Sequence, residues 1–275
     1  MTFLDKLRAA QETNRSWICI GLDPDLLEMP SAAGSGEDGV VRFCTAIVEA
    51  TADLVCAYKP NLAFFLARGS SGIASLSAVV NNIPSSVPVI LDAKFGDMGH
   101  TGEHYAAFAF EYLGADAVTV SPYVGTEAIR PFMNYTDRLA FVLTRSSNTL
   151  GNEFQVWPSA DSPVYREVAE QVRILAEEYP GQLGLVAGAT QPDELRLLRQ
   201  HVPDLPFLVP GIGKQGGDLD VAVCAGMTSD GIGPAINAGR SVLYASQGSD
   251  YASAARERVR ALLGEIEAIK QRNGS

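Results

Sequence analysis

The chain has 275 residues, 47% of them hydrophobic, which is enough to bury one large core. Its 21 lysines and arginines are outnumbered by 32 acidic residues, giving a formal net charge of -11. This excess of negative charge disfavours binding to nucleic acid or to an anionic membrane surface, because both present phosphates. The composition therefore predicts a small-molecule ligand rather than a polymer.

No segment of the sequence predicts export or membrane insertion. Charged residues are spread through 1–17, so this stretch lacks the apolar centre of a secretory signal, and no run is long enough to cross a bilayer. We expect a cytoplasmic protein. The four cysteines show no short paired spacing, which favours free buried thiols over disulfides or a zinc site.

Short apolar runs rich in β-branched residues recur along the chain and predict eight strands, most of them buried on both faces. In chain order the runs are 17–23, 54–60, 87–97, 117–123, 139–147, 183–190, 206–213 and 241–247. Most gaps contain a segment with helical spacing, among them 40–51, 103–114, 164–179 and 192–202. Eight alternating strand and helix units predict a (β/α)8 TIM barrel that forms a single domain over 1–275.

Two polar stretches are predicted to lie outside the chemistry of this barrel. Residues 31–39, SAAGSGEDG, are interpreted as a flexible insertion after the first strand, and residues 270–275, KQRNGS, as a frayed tail. Neither stretch is expected to carry catalytic groups.

The segment ILDAKFGD, at the end of the third predicted strand, holds the most informative charges. Asp92 and Lys94 are two residues apart, so they point to the same side of a strand, which in a barrel is the interior. Burying an acid and a base there costs several kcal/mol per ion unless other charges compensate. Lys59 and Asp97 are the expected compensating charges. A buried ion-pair network with a purely structural role is the alternative.

Lys94 is predicted to be a general acid. Carboxylates around a lysine favour its cationic form, which suits proton donation, whereas a Schiff base requires the neutral amine. The amine of Lys94 therefore points to proton transfer.

The segment PGIGKQGGD follows the seventh predicted strand and resembles an anion site. Its glycines let backbone amides surround an anion, and barrels commonly bind phosphate after strands seven and eight. Arg240 opens the eighth predicted strand and can pair with a phosphate. We expect Gly213, Gln215 and Arg240 to bind the phosphate.

The motif DAKFGD resembles the Asp-x-Lys-x-x-Asp signature of the orotidine 5'-phosphate decarboxylases, particularly their longer bacterial group. Six further segments resemble that family in the same order: GLDPD from 21, AYKPNLAFF from 57, TVSPY from 119, LTRSSN from 143, PGIGKQGGD from 210 and NAGRSVLYAS from 237. The resemblance spans nearly the whole chain. It implies decarboxylation of orotidine 5'-phosphate to uridine 5'-phosphate, the last step of de novo pyrimidine nucleotide synthesis, without a metal or cofactor.

The resemblance also implies roles for individual residues. Lys94 protonates C6 of the pyrimidine as carbon dioxide leaves, and Asp92 lies beside the substrate carboxylate. Lys59 and Asp23 hold the ribose hydroxyls. Ser147 hydrogen-bonds the edge of the pyrimidine.

The resemblance further implies a homodimer with two composite sites. In that arrangement Asp97 and Thr101 reach into the site of the neighbouring subunit. The chain departs from the family pattern at Phe95, where this group often has arginine, and at His100, where a small polar residue is common. These departures leave the contacts next to the site and at the interface unassigned.

Three other interpretations remain open at the level of sequence. HTGEH, from His100 to His104, matches an inverted zinc protease motif, although Gly102 inside it disfavours a helix. A related barrel family shares the Asp-x-Lys-x-x-Asp arrangement but uses the carboxylates as magnesium ligands in a sugar-phosphate synthase or lyase. A barrel that binds a nucleotide without catalysis is the third.

Overall fold

Eight parallel strands form one sheet in the computed structural model of the chain, which describes residues 1–159, 163–212 and 216–273. The strands are β1 (Ile18–Leu22), β2 (Ala57–Pro60), β3 (Ile90–Phe95), β4 (Ala117–Val120), β5 (Leu139–Arg145), β6 (Leu183–Ala187), β7 (Phe207–Val209) and β8 (Ala235–Ala238). Their order is β2-β1-β8-β7-β6-β5-β4-β3, and bridges from Tyr58 to Val89 and from Asn61 to Asp92 join β2 to β3. The predicted (β/α)8 TIM barrel is confirmed.

Helices connect most of the strands and cover the outside of the sheet. The described ranges contain α1 (Phe3–Asn14), α2 (Gly36–Thr51), α3 (Leu62–Leu66), α4 (Gly69–Asn81), α5 (Gly99–Ala107), α6 (Asn152–Gln155), α7 (Val164–Glu178), α8 (Pro192–His201), α9 (Leu219–Gly226), α10 (Arg240–Leu243) and α11 (Tyr251–Asn273). In α7 the buried residues Tyr165, Ala169, Val172 and Leu175 form one stripe, as expected for a helix that packs by one face. No helix in these ranges is both long and apolar enough to span a bilayer.

The helix α1 closes the amino-terminal end of the barrel. Phe3 and Leu7 are buried in the cluster that fills the barrel interior, and the Phe3 ring meets Phe141 edge to face at 5.6 Å between centroids. Lys6 Nζ lies 2.6 Å from a carboxylate oxygen of Asp116, which precedes β4. These contacts leave the carboxyl ends of the strands as the open end of the barrel.

The eighth strand lies earlier in the chain than the sequence predicts. The structure places β8 at Ala235–Ala238, and the predicted strand 241–247 is wrong because α10 begins at Arg240. The true strand, AINA, holds two small alanines and an asparagine, so it lacks the run of β-branched residues that marks the other strands. Val242 and Leu243 are buried in the core outside the barrel, which explains the misleading apolar signal.

Both polar stretches that were expected to be peripheral form regular structure. Within 31–39, a 3-10 turn spans Ser31–Ala33 and α2 begins at Gly36, while Ala33 is fully buried. At the other end α11 continues to Asn273, and Lys270 Nζ lies 3.6 Å from the centroid of a Trp17 ring. Residues 31–39 are therefore not a flexible insertion, and the tail is helical up to 273; residues 274–275 lie outside the described ranges.

The closure by α1 yields a prediction about stability. Replacing Phe3 with alanine should lower the free energy of unfolding by about 3 to 5 kcal/mol, because it opens a cavity among well-packed residues. Catalytic constants of the folded variant should stay near those of the parent, since the change lies at the closed end of the barrel. Urea unfolding and steady-state kinetics would measure both. Glu12→Ala, at an exposed position of the same helix, is the control, and equal losses of stability in the two variants would contradict the packing argument.

Candidate active site

A cavity of about 310 Å³ opens at the carboxyl ends of the strands. Six residues that the sequence analysis selected line it: Asp23, Lys59, Asp92, Lys94, Ser147 and Arg240. They come from β2, β3 and from the segments that follow β1, β5 and β8. Side chains that are far apart in the sequence therefore meet at the carboxyl ends of the strands, where catalytic groups of such barrels lie.

The carboxylate of Asp92 lies between two ammonium groups. Lys59 Nζ is 2.6 Å from Oδ2 of Asp92, and Lys94 Nζ is 2.6 Å from Oδ1. The Lys59 side chain is only 4% exposed, whereas that of Lys94 is 46% exposed and faces the cavity. Both lysines line the cavity; Lys59 is the deeply buried partner of the carboxylate, and Lys94 is the more exposed one.

The backbone around Lys94 leaves regular strand geometry. Lys94 has a φ of 49°, in the left-handed region that non-glycine residues seldom adopt, and the pairing of β3 with β4 shifts register nearby. The Thr119 hydroxyl accepts hydrogen bonds from the backbone N–H groups of Ala93 and Lys94 at 3.0 and 2.9 Å, and donates one to Asp92 at 2.9 Å. Thr119 therefore holds the bend that brings the Lys94 side chain back onto Asp92.

The charges in the cluster stabilise one another. Burial alone would raise the pKa of the Asp92 carboxyl, but Lys59 and Lys94 outweigh this effect and hold the pKa below its ordinary value. Burial likewise opposes the charge on Lys59, but the neighbouring Asp92 and Asp23 raise the pKa of that lysine above its ordinary value. Lys59 and Asp92 are thus both charged at neutral pH, and together with Lys94, whose Nζ contacts the same carboxylate, they form an ion triad.

Two polar oxygens in the same wall of the cavity lack a protein partner. Oδ1 of Asp23 and Oδ1 of Asn237 are both buried and accept no hydrogen bond from the described residues. Burial raises the pKa of the Asp23 carboxyl, and the nearby Lys59 only partly opposes this. An acceptor left unpaired in a cavity can receive a hydrogen bond from a ligand hydroxyl, which would offset the cost of its burial.

The structure describes only part of the predicted phosphate site. Arg240 lines the cavity at the start of α10, directly after Gly239. The other two predicted ligands, Gly213 and Gln215, lie outside the described residues. Gly211 and Ile212, which precede them, line the cavity.

Asp97 and Thr101 lie away from the cavity of their own chain. Both are exposed, Asp97 on the turn that follows β3 and Thr101 in the first turn of α5, and neither is among the residues that line the cavity. Asp97 accepts a hydrogen bond from the backbone of Met98 at 2.9 Å. Their contribution to a neighbouring subunit stays a prediction.

Thr119 and Asn237 are among the polar residues of the cavity that the sequence did not single out. Thr119 on β4 and Asn237 on β8 both face the cavity. Both lie in segments that resemble the family, but a single polar residue within a strand gives little signal on its own. Their importance appears only when the strands are assembled.

The zinc interpretation finds no support in the placement of the histidines. His100 is almost fully exposed and its ring Nδ1 lies 2.9 Å from Oε2 of Glu103 in the same turn. Across the described ranges, no three His, Cys, Asp or Glu side chains come together in a group that could hold a metal ion.

A barrel with charged side chains at the carboxyl ends of its strands has the architecture of a (β/α)8 enzyme. A model of the orotidine 5'-phosphate decarboxylase / HUMPS family matches residues 16–257. The chain belongs to that family.

Individual relatives are named for one activity of the family. Orotidine 5'-phosphate decarboxylase of Thermomicrobium roseum is 48% identical over 98% of this chain and 97% of its own length. The enzyme of the same name from Ralstonia nicotianae is 48% identical over 93% of this chain and 94% of its own length. A solved structure of OMP decarboxylase from Leishmania donovani has 37% identity and a TM-score of 0.82, covering 96% of this chain and 99% of that one. The resemblance found in the motifs is therefore confirmed.

Because one carboxylate oxygen of Asp23 is buried without a partner among the described residues, replacing Asp23 should raise stability but lower activity. Asp23→Asn should raise the free energy of unfolding by about 1 kcal/mol near neutral pH, because it removes a poorly compensated buried charge. Since burial raises the pKa of Asp23 in the folded protein, this advantage should grow as the pH rises from the ordinary pKa of an aspartate through the raised one. Activity should fall, because the amide is a weaker acceptor for a ligand hydroxyl.

Thermal and urea unfolding at several pH values, together with kcat/KM, would test this prediction. Asp25→Asn, on the same loop, is the matched control. A variant at position 23 that is less stable than the parent at every pH would contradict it.

Proposed function

We propose that this chain decarboxylates orotidine 5'-phosphate to uridine 5'-phosphate, with Lys94 as the proton donor and without a metal ion. The observation that carries the proposal is the Asp92 carboxylate held between Lys59 and Lys94 at the wall of the cavity. Relatives that cover almost the whole chain bear the name of this activity. In the cell the reaction would be the final step of de novo pyrimidine nucleotide synthesis.

The proposed chemistry needs only groups of the protein and of the substrate. The bond between C6 and the carboxylate carbon breaks, carbon dioxide leaves, and the electron pair stays on C6. The ammonium of Lys94 donates a proton to C6, and the resulting amine regains a proton from solvent. No electron acceptor is required.

The main obstacle is the negative charge that develops on C6, because no adjacent carbonyl delocalises it. A fixed ammonium in a cavity with little water stabilises such charge much better than solvent does, since its position costs no reorganisation during the reaction. Asp92 and Thr119 fix Lys94 in place. The proton donor is therefore also the electrostatic stabiliser of the carbanion.

The remaining polar groups of the cavity match the parts of the nucleotide. Asp23 and Lys59 would hold the ribose hydroxyls, Ser147 would bind the edge of the pyrimidine, and Arg240 would pair with the phosphate. Gly213 and Gln215 complete the proposed phosphate site. Binding of the remote phosphate and ribose can lower the barrier at C6, because it restricts the substrate to a reactive position.

The arrangement of Asp92 disfavours the magnesium-dependent alternative. Each of its two carboxylate oxygens already lies 2.6 Å from an ammonium nitrogen, and Oδ1 also accepts from Thr119. A cation that replaced these contacts would leave two lysines without their anionic partner. This exchange is unfavourable for Lys59, whose side chain is almost fully buried.

We further propose that the active unit is a homodimer in which Asp97 and Thr101 complete the partner's site. Their exposed positions on the turn after β3 and on the first turn of α5 support this arrangement, because both are accessible to a second subunit.

The proposed activity has a direct test. The purified protein, incubated with orotidine 5'-phosphate and a chelator, should cause loss of the ultraviolet absorbance of the orotate group. Lys94→Ala should lower kcat by at least about 1000-fold, because it removes the general acid, while nucleotide binding persists. Lys270→Ala, which removes an ammonium far from the cavity, is the control. Retention of near-normal turnover by the Lys94 variant would remove this residue from the mechanism, and loss of parent activity with the chelator would favour a metal enzyme.

The shared site can be tested by mixing inactive subunits. Lys94→Ala and Asp97→Ala proteins, each inactive alone, should regain activity after subunit exchange, because each mixed dimer has one site with both residues intact. Random mixing in equal amounts should restore about a quarter of the parent activity. The assay is decarboxylation after exchange has been verified by mass spectrometry. Verified exchange without recovery would show that Asp97 acts within its own chain.

A further inference from the structure

Arg145 ends β5 and is 1% exposed, although it carries a charge. Its guanidinium forms an ion pair with Glu194 on α8 and donates hydrogen bonds to the side chains of Asn152 and Gln155 on α6. The residues that follow it in the chain, Ser146 to Asn148, line the cavity. A buried charge with this many partners is thus placed directly beside the proposed pyrimidine site.

Gln155 connects this arginine to the wall of the cavity. Its Oε1 accepts hydrogen bonds from Arg145 Nη1 at 2.8 Å and from the backbone N–H of Ser146 at 3.0 Å. Its Nε2 lies 2.9 Å from the Ser146 hydroxyl. One amide side chain therefore fixes both the backbone and the side chain of Ser146.

The backbone around these residues is packed without spare room. A Cβ on Gly151 would lie 2.6 Å from the Ser146 hydroxyl oxygen, and a Cβ on Gly188 would lie 2.8 Å from the backbone nitrogen of Ser147. Thr190 also donates a hydrogen bond to the Ser147 carbonyl at 2.9 Å. Ser147 is consequently held by the segment that follows β6, while α6 holds the preceding Ser146.

We propose that Arg145 and Gln155 are positioning residues that set the segment Ser146–Asn148 for recognition of the pyrimidine ring. The proposal deepens the proposed function, on which it rests. Neither residue lines the cavity, so both would act through Ser146 and Ser147. Their specific effect should fall on the base, because the ribose and phosphate groups of the cavity come from other strands.

Arginine suits this task better than lysine. Its planar guanidinium presents donors in several fixed directions and can contact Glu194, Asn152 and Gln155 together, whereas an ammonium is a compact point charge on a flexible stem. Displacement of a binding group by about 1 Å can cost about 100-fold in rate, so a fixed wall is valuable to a site of this kind.

The test compares a ligand that carries the pyrimidine base with one that lacks it. Dissociation constants for uridine 5'-phosphate and for ribose 5-phosphate would be measured by titration calorimetry on the parent, Gln155→Ala and Arg145→Lys. We expect both variants to bind uridine 5'-phosphate about tenfold more weakly or worse, and to keep ribose 5-phosphate affinity within about twofold. KM for orotidine 5'-phosphate should rise in parallel. Phe154→Ala, an exposed neighbour of Gln155 on α6, is the matched control and should bind both ligands as the parent does.

Equal weakening of both ligands would show a general structural role and overturn the proposal, as would unchanged binding of uridine 5'-phosphate. If Arg145→Lys does not fold, Gln155→Ala decides the matter, because it leaves the buried ion pair with Glu194 intact. Turnover of orotidine 5'-phosphate by the parent is measured separately. An inactive parent would refute the proposed function. An active parent whose variants bind both ligands equally weakly would refute only the role of Arg145 and Gln155.

Discussion

The candidate site depends on one carboxylate, Asp92, that is shared by two ammonium groups. Lys59 compensates the carboxylate from the buried side, and Lys94 contacts it from the side of the cavity. A lone buried lysine would lose its proton readily, and a lone buried aspartate would gain one. In the triad, opposite charges on Lys59 and Asp92 offset the cost of burying each other, and Lys94 is held at the cavity as the proposed proton donor.

The strands β2, β3 and β4 hold this triad in place. Lys59 and Asp92 come from β2 and β3, which are joined only by isolated bridges. Their ion pair therefore links the two strands where the backbone ladder of the barrel is weakest. Thr119 on β4 supplies the side-chain hydrogen bonds that let Lys94 adopt its left-handed backbone conformation.

Much of the fold was predictable because parallel strands buried on both faces leave a continuous apolar signal. Seven strands lie within their predicted runs, and only β8 was misplaced, since a strand of small residues and one asparagine gives no such signal. Asp92 and Lys94 were predicted to share a side by simple alternation, and both do line the cavity. The alternation could not reveal the bend at Lys94, which depends on a hydroxyl from β4.

Other parts of the site could not be read from the sequence for a different reason. Arg145 was not selected, because an arginine at a strand end looks like an ordinary solvent-exposed residue until its partners on α6 and α8 are in place. Asn237 is similar, since only the neighbouring strands show that its oxygen lacks a donor. Residues whose significance lies in tertiary contacts carry little local pattern.

The closure of the barrel by α1 has a consequence for how products leave the enzyme. Phe3 and Leu7 fill the amino-terminal end, and among the described residues the cavity opens at the carboxyl ends of the strands. In the proposed reaction carbon dioxide forms at C6 of the nucleotide, inside a cavity from which the nucleotide must also leave. The order in which the two products depart would then depend on the shape of the opening as well as on the chemistry.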